Sequence, residues 1–262
     1  ICLAVLDMNV EGAAYATLVS QMAAGIACII YSVKRYECIC FTWQQCRVDS
    51  VLARSMMSSG FSMGFMNSIV SLGTVSLQGA INTLGDSYIV AHSAARKITE
   101  LFMMIFSVFG MTMATFCGQN IGAGRTDRVR RGIWHSILIS WVWCVMTATA
   151  AWLAGPWFIH LVTGSSSDEV LATGALYLRV DTLFYFVPAV IAIIRNAMQG
   201  IGDHSTPIIS STIELIGKVL IAIMLVPYLR YTAIIIAEPI VWILMVIPLI
   251  VQILRNPALK PE

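Results

Sequence analysis

From Ser55 to Gly85 the chain runs for 31 residues without one Asp, Glu, Lys or Arg. Residues 12–33 form a second uncharged run of 22. Runs this long fit a helix crossing the hydrocarbon of a bilayer, which needs about 20 mostly apolar residues. Five more segments reach that length: 98–117 with Glu100 near its start, 132–153 with only His135, 170–200 with Arg179, Asp181 and Arg195, 205–228 with Glu214 and Lys218, and 233–254 with Glu238. Residues 1–10 read as the tail of an earlier span. The composition agrees, at 58% hydrophobic and 11% charged, where a soluble domain carries about 25% charged residues. The expected fold is an all-α, polytopic transmembrane bundle. A soluble enzyme or a nucleic-acid module would expose too much apolar surface.

Charge alternates along the connections. Lys34, Arg35, Arg47 and Arg54 lie between the first two full spans, Arg125, Arg128, Arg130 and Arg131 after the third, and Arg255 and Lys260 after the last. The intervening connections hold Asp86, then Asp168 with Glu169, and Arg230 as a cation. Excess Lys/Arg marks the cytoplasmic side, so a multi-pass protein of the cell membrane with a cytoplasmic C-terminus is expected. Arg96 and Lys97 fit less well, since they open a span on the outer side. The four clustered arginines read as orientation signals that touch anionic headgroups. A net charge of +2 offers no polyanion-binding surface, and no nucleic-acid partner is expected.

The most informative polar residues lie in the second run. Asn67, Ser71, Thr74, Gln78 and Asn82 step by four, three, four and four, which keeps them on one helix face. Such a stripe faces other helices, as interhelical hydrogen bonds, or lines a hydrated substrate pathway. In the fifth span Asp181, Tyr185 and Pro188 share a face, with Arg195 seven residues beyond. Pro188 is expected to kink the helix, and broken helices accompany substrate sites in transporters. Asp181 belongs to that pathway, or is a coupling carboxylate, or snorkels to the outer interface. Glu214 and Lys218 stand at i and i+4, the better orientation for an ion pair. Glu238 has no local partner, so it either protonates or finds a cation, as a coupling residue does.

Catalytic and metal chemistry find little footing. His92, His135, His160 and His204 fall apart from one another without metal-ligand spacing. The seven cysteines, Cys2, Cys28, Cys38, Cys40, Cys46, Cys117 and Cys144, are an odd set; the Cys38–Cys46 cluster has no His at zinc-site spacing. No cofactor, metal or enzymatic activity is expected. Gly118 to Gly124 is glycine-rich but lacks the Lys-Ser/Thr of a phosphate loop, and reads as a tight turn. It echoes Gln199-Gly200-Ile201-Gly202, 80 residues later, which hints at a repeated two-helix unit.

Gly12-Ala13-Ala14-Tyr15-Ala16-Thr17 with Ser20-Gln21 resembles the multidrug and toxic compound extrusion (MATE) antiporters. So do Gln78-Gly79-Ala80-Ile81-Asn82, the loop carrying Gln119, Gly122 and Gly124, and the run carrying Arg195, Gln199, Gly200 and Gly202. That family has twelve helices in two six-helix lobes. The resemblance implies that residues 1–34 are the end of one helix and the last helix of an incomplete N-terminal lobe. Residues 35–54 would then be the cytoplasmic inter-lobe connection, 55–254 a six-helix C-terminal lobe and 255–262 a cytoplasmic tail. It further implies export of amphipathic or cationic drugs and toxic organic compounds by alternating access, coupled to H+ or Na+, with the missing N-terminal lobe and the bilayer as partners. Residues 55–85 lack the acidic residue some members use there and offer Asn67 and Gln78, so the coupling ion stays open. Glu238, Glu214 and Asp181 are the coupling candidates. The alternatives are a lipid-linked oligosaccharide flippase of the same superfold, disfavoured by the neutral stripe, and a lobe that does not transport.

Overall fold

A computed structural model describes residues 10–36 and 49–256. The residues outside this range include Cys2, Cys38, Cys40, Cys46, Arg47 and Lys260, as well as most of the expected 35–54 connection and the 255–262 tail. Among the described residues the chain is helical throughout, with no strand. Two compact units are distinguished, residues 1–56 and 57–262. The first contains helix α1 (Val10–Arg35) and the start of α2 (Ser50–Ile81). The Asp49 carboxylate accepts the Val51 and Leu52 amides at 2.8 and 3.4 Å, satisfying donors that a helix start leaves open.

The second unit continues through α3 (Asp86–Gly122), α4 (Thr126–Thr163), α5 (Asp168–Leu183), α6 (Phe186–Ile201) and α7 (Ser205–Leu220). A π-helical turn (Ile221–Leu225), the short α8 (Val226–Leu229) and α9 (Tyr231–Arg255) complete it. Five helical spans are long and apolar enough to cross a membrane: residues 14–35, 86–122, 126–163, 205–229 and 231–255. The bent pair α5–α6 makes a sixth. Each of the seven expected spans is thus helical, the 170–200 one in two pieces, while the helix tail expected over residues 1–10 lies almost wholly outside the described residues. α2 stands apart from the expectation, because its polar stripe keeps it out of that apolar set although 55–81 carries no charge.

α9 is the central element of this unit. Its sequence is apolar on every side, as a buried helix is, and half of its most apolar stretch is buried, against 22–28% in the other spans of the unit. It packs on α7, α6 and α5, while α3 packs on α6, α4 and α5. The α3–α6 seam is built from small residues one turn apart: Gly110, Ala114 and Gly118 against Ala192, Asn196 and Gly200. A methyl on Gly200 would stand 2.3 Å from the Ala114 carbonyl oxygen, so only glycine fits there.

Pro188 does not kink a continuous span as expected. The span breaks before it, at Phe184 and Tyr185, with a 56° bend, and Pro188 occupies the first turn of α6. The cause is that a first-turn residue needs no intrahelical acceptor for its amide, so proline is tolerated there, whereas its ring would clash with the Phe184 carbonyl in a continued helix. Pro227 acts similarly after the π turn, which widens the helix ahead of a residue that cannot donate.

Candidate functional site

The interior of residues 57–262 holds an unbroken chain of ion pairs. Arg96 of α3 lies 3.5 Å from Glu238 of α9, and Glu238 lies 3.1 Å from Lys218 of α7. Lys218 in turn lies 3.0 Å from Glu214, one turn earlier on α7, and Glu214 lies 3.6 Å from Arg195 of α6. The expected Glu214–Lys218 pair is present. Glu238, lacking a partner nearby in sequence, is paired across helices with Lys218 and Arg96. Arg195 also reaches Ser210 Oγ at 3.4 Å, and that hydroxyl donates to the Met245 carbonyl at 3.0 Å. Buried charges persist only when paired, and this chain pairs each of its members.

Asp181 sits at the edge of the chain and does not snorkel. Only 1% of it is exposed, and it interacts electrostatically with Glu238, Arg96 and Lys218. Neither of its carboxylate oxygens has a hydrogen-bond partner. The Tyr185 hydroxyl comes close without reaching hydrogen-bond geometry, and Tyr177 stands likewise beside Arg96. His92, one turn before Arg96, packs edge-on against Tyr177 at 4.8 Å between ring centres, and its Nδ1 lies 3.4 Å from the Tyr231 hydroxyl. The break after Leu183 positions this cluster: α5 ends two residues beyond Asp181, and the turned chain brings Tyr185 back under α9, against Trp242.

Arg96, Tyr177, His92 and Tyr231 are not among the site residues expected from the sequence. Tyr177 stands four residues before Asp181 and shares its helix face, a signal that was there to find. From the sequence, Arg96 opens a span on the outer side and fits the charge alternation less well. In the structure it belongs to the bundle interior, flanked by buried Ala94, Ala95 and Ile98, while Lys97 is exposed.

The α2 stripe forms as one helical face beside a buried one made of Met66, Ile69, Gly73, Leu77 and Ile81. Asn67, Ser71 and Asn82 are exposed, Thr74 and Gln78 half-buried. The Ser71 and Thr74 hydroxyls donate to the carbonyls four residues back, at 2.9 and 3.2 Å, and the Gln78 amide donates to Asn82 Oδ1 at 3.0 Å. These bonds stay within α2. The structure does not bring the stripe together with Asp181 and Tyr185. A link exists at Gly73, where a methyl would stand 3.2 Å from Lys218 Cδ.

The glycine-rich motifs resolve into packing and turns. Gly118 and Gly200 belong to the α3–α6 seam, Gly122 is the last residue of α3, and Gly124 and Gly202 adopt φ of +68° and +93°, which only glycine adopts readily. The 80-residue echo is therefore not a conformational one, since Gly122 is helical and Gly202 left-handed. The Gln199 amide points at Met66 Sδ, 3.5 Å away. Asp203 caps α7, accepting the Ser205 and Thr206 amides at 3.0 and 3.1 Å and the Thr206 hydroxyl at 2.7 Å. Cys117 and Cys144 are buried separately as free thiols.

The sequence model of the MatE family matches residues 62–224. The chain is 23% identical over 189 residues to the probable multidrug resistance protein YpnP of Bacillus subtilis, covering 70% of this chain and 40% of that protein. It is 23% identical over 230 residues to the probable multidrug resistance protein NorM of Thermotoga maritima, covering 86% and 48%. Among solved structures, that of a MATE in complex with MaL6 superposes with a TM-score of 0.89 at 21% identity, over 99% of this chain and 59% of that one. A MOP superfamily transporter of Pyrococcus furiosus superposes with a TM-score of 0.87 at 21% identity, over 100% and 60%. The chain thus spans about half the length of these relatives. With its helices, break and small-residue seam set in that fold, this multi-pass membrane protein belongs to the MatE family.

Proposed function

We propose that the chain supplies the C-terminal lobe of a multidrug efflux antiporter of the cell membrane, completed by an N-terminal lobe and driven by H+ or Na+. Residues 55–254 form that lobe, 35–54 the cytoplasmic connection to its partner, and the C-terminus is cytoplasmic, following the excess of Lys/Arg on that side. The substrates are amphipathic or cationic drugs and toxic organic compounds; the relatives YpnP and NorM are named probable multidrug resistance proteins. The pathway runs along Asn67, Ser71, Thr74, Gln78 and Asn82, with Asp181 and Tyr185 deeper in the lobe. The motif residues Gln119, Gly122, Gly124, Arg195, Gln199, Gly200 and Gly202 shape the lobe rather than touch substrate.

The observation that carries the coupling reading is Asp181, a fully buried carboxylate with the Tyr185 hydroxyl nearby but out of hydrogen-bond geometry, beside a cluster of fixed charges. Glu214 has each oxygen facing a cation, and Glu238 faces two. Of the three coupling candidates, Asp181 is the one with both oxygens unengaged. The flippase alternative gains nothing from the interior cations, because Arg96, Lys218 and Arg195 are all held by carboxylates. The test is efflux of a fluorescent lipophilic cation by the full-length protein in proteoliposomes under an imposed Na+ or H+ gradient. Gradient-dependent efflux that Asp181→Asn abolishes is expected. Flux indifferent to both gradients sinks the antiporter reading.

A further inference from the structure

Six ionisable side chains from five helices share the interior: Arg96, Arg195 and Lys218 against Asp181, Glu214 and Glu238. Three positive and three negative charges cancel only while Asp181 is ionised and empty. A cation or proton arriving at Asp181 leaves the buried cluster with one positive charge in excess, and uncompensated buried charge is strongly disfavoured. One resident cation therefore has to withdraw.

The three residents are not held alike. Lys218 is clasped by two carboxylates at 3.0 and 3.1 Å, with 4% of its side chain exposed. Arg195 is bound by Glu214 and Ser210 with 14% exposed. Arg96 has one carboxylate partner, Glu238 at 3.5 Å, close to the 3.6 Å of the Arg195–Glu214 pair, but it is the most exposed of the three, with 27% of its side chain open. Its aliphatic stem lets the guanidinium swing outward while the stem stays buried. Glu238 keeps Lys218 when Arg96 leaves.

We propose that Arg96 is the resident counter-cation of the Asp181–Glu238 pair, displaced when the coupling ion binds. This rests on reading Asp181 as the coupling carboxylate. Arg96 then sets the affinity for that ion as an internal competitor. The other groups facing Asp181 are Tyr177 on its own helix, Tyr185 at the break, Lys218 on α7, and Glu238 and Tyr231 on α9; His92 on α3 faces Glu238 and Arg96. Among the three resident cations, Arg96 is the one with the largest exposed fraction.

The test is made on the full-length protein in proteoliposomes, with efflux of a lipophilic cation recorded while Na+ is titrated at fixed pH, and protons are titrated without Na+. Removing a cation from beside a carboxylate strengthens its hold on another by about tenfold or more. Arg96→Gln is therefore expected to lower the half-saturating concentration of the active ion about tenfold, read separately from maximal flux. For protons, that moves the half-saturating pH up by about one unit. Arg96→Lys, with a compact ammonium lacking the guanidinium's reach, is expected to lower it about threefold. It decides the matter should Arg96→Gln not reach the membrane. A half-saturation unchanged or raised in the recovered variant overturns the proposal, since a merely structural arginine moves maximal flux alone. Asp181→Asn is run alongside: if it still couples, the underlying reading fails whatever Arg96 does.

Discussion

Glu238 of α9 and Lys218 of α7 meet at 3.1 Å, joining the Arg96–Glu238 pair to the Lys218–Glu214–Arg195 triad in one chain. Both side chains are 4% exposed, so each depends on the other for its charge to be tolerated. Lys218 is the hinge pin of the arrangement, because Glu214 and Glu238 both lean on it.

Lys218→Met is accordingly expected to destabilise the purified protein by about 3–5 kcal/mol, the range for breaking a buried pair from one side. Lys218→Met with Glu238→Gln should recover part of the loss. Thermal unfolding of the detergent-solubilised protein reads both. A single variant as stable as the parent would show the chain to be hydrated rather than buried.

Gly200 and Gly122 belong to related motifs yet differ in what surrounds them. A methyl at Gly200 meets backbone at 2.3 Å, and Gly200→Ala should destabilise by about 1–3 kcal/mol as the α3–α6 seam opens. Gly122→Ala meets nothing within 4 Å in a helical residue and should be neutral or stabilising by a few tenths of a kcal/mol, up to about 1. The same melting measurement separates them, and equal effects would refute the seam.

Asp203 lies in the turn before α7. Burial pushes its carboxyl up, but donors on Thr206, Ser205 and Gln252 outweigh this, and its pKa falls below the ordinary 3.8. A depressed carboxyl adds stability above its unfolded value, and that stability is lost as pH falls through the folded value. The α6–α7 turn should thus loosen below about pH 4. Asp203→Ala should remove that acid dependence and weaken the cap by about 1 kcal/mol. Hydrogen exchange at the Ser205 and Thr206 amides, followed against pH, checks it; unchanged acid sensitivity in the variant would count against the cap.

Asn67→Leu and Gln78→Leu each replace a polar member of the α2 stripe with an apolar one. If the stripe lines the pathway, efflux by the full-length protein falls by about tenfold or more while membrane insertion is unchanged, a loss of about 1.4 kcal/mol in transport. Flux at the parent level in both would return the stripe to helix packing.

Much of this was legible in the chain itself. Helices are local, and the uncharged runs marked most of them to within a few residues, although α3 begins twelve residues before the expected 98 and α4 ends ten after the expected 153. The Glu214–Lys218 pair was readable because it closes within one turn. Arg96 and Glu238 are separated by more than 140 residues, and nothing in either segment announces the other. The position of Arg96 next to Lys97 concealed it further, since the two read together as cations opening a span, whereas adjacent residues on a helix point about 100° apart. The break before Pro188 was foreseen in kind but not in place, because proline forbids a helix behind it rather than at it.

The α3–α6 seam carries a mechanical consequence. Gly110 receives the Asn196 side chain and the Ala192 carbonyl, while Ala114 and Gly118 bring their backbones directly against Gly200. Around Gly200 such a joint cannot be sheared without backbone colliding with backbone. Residues 110–118 and 192–200 thus act as one stiff strut, and whatever bending the lobe undergoes falls on compliant points such as the Phe184–Tyr185 break and the π turn.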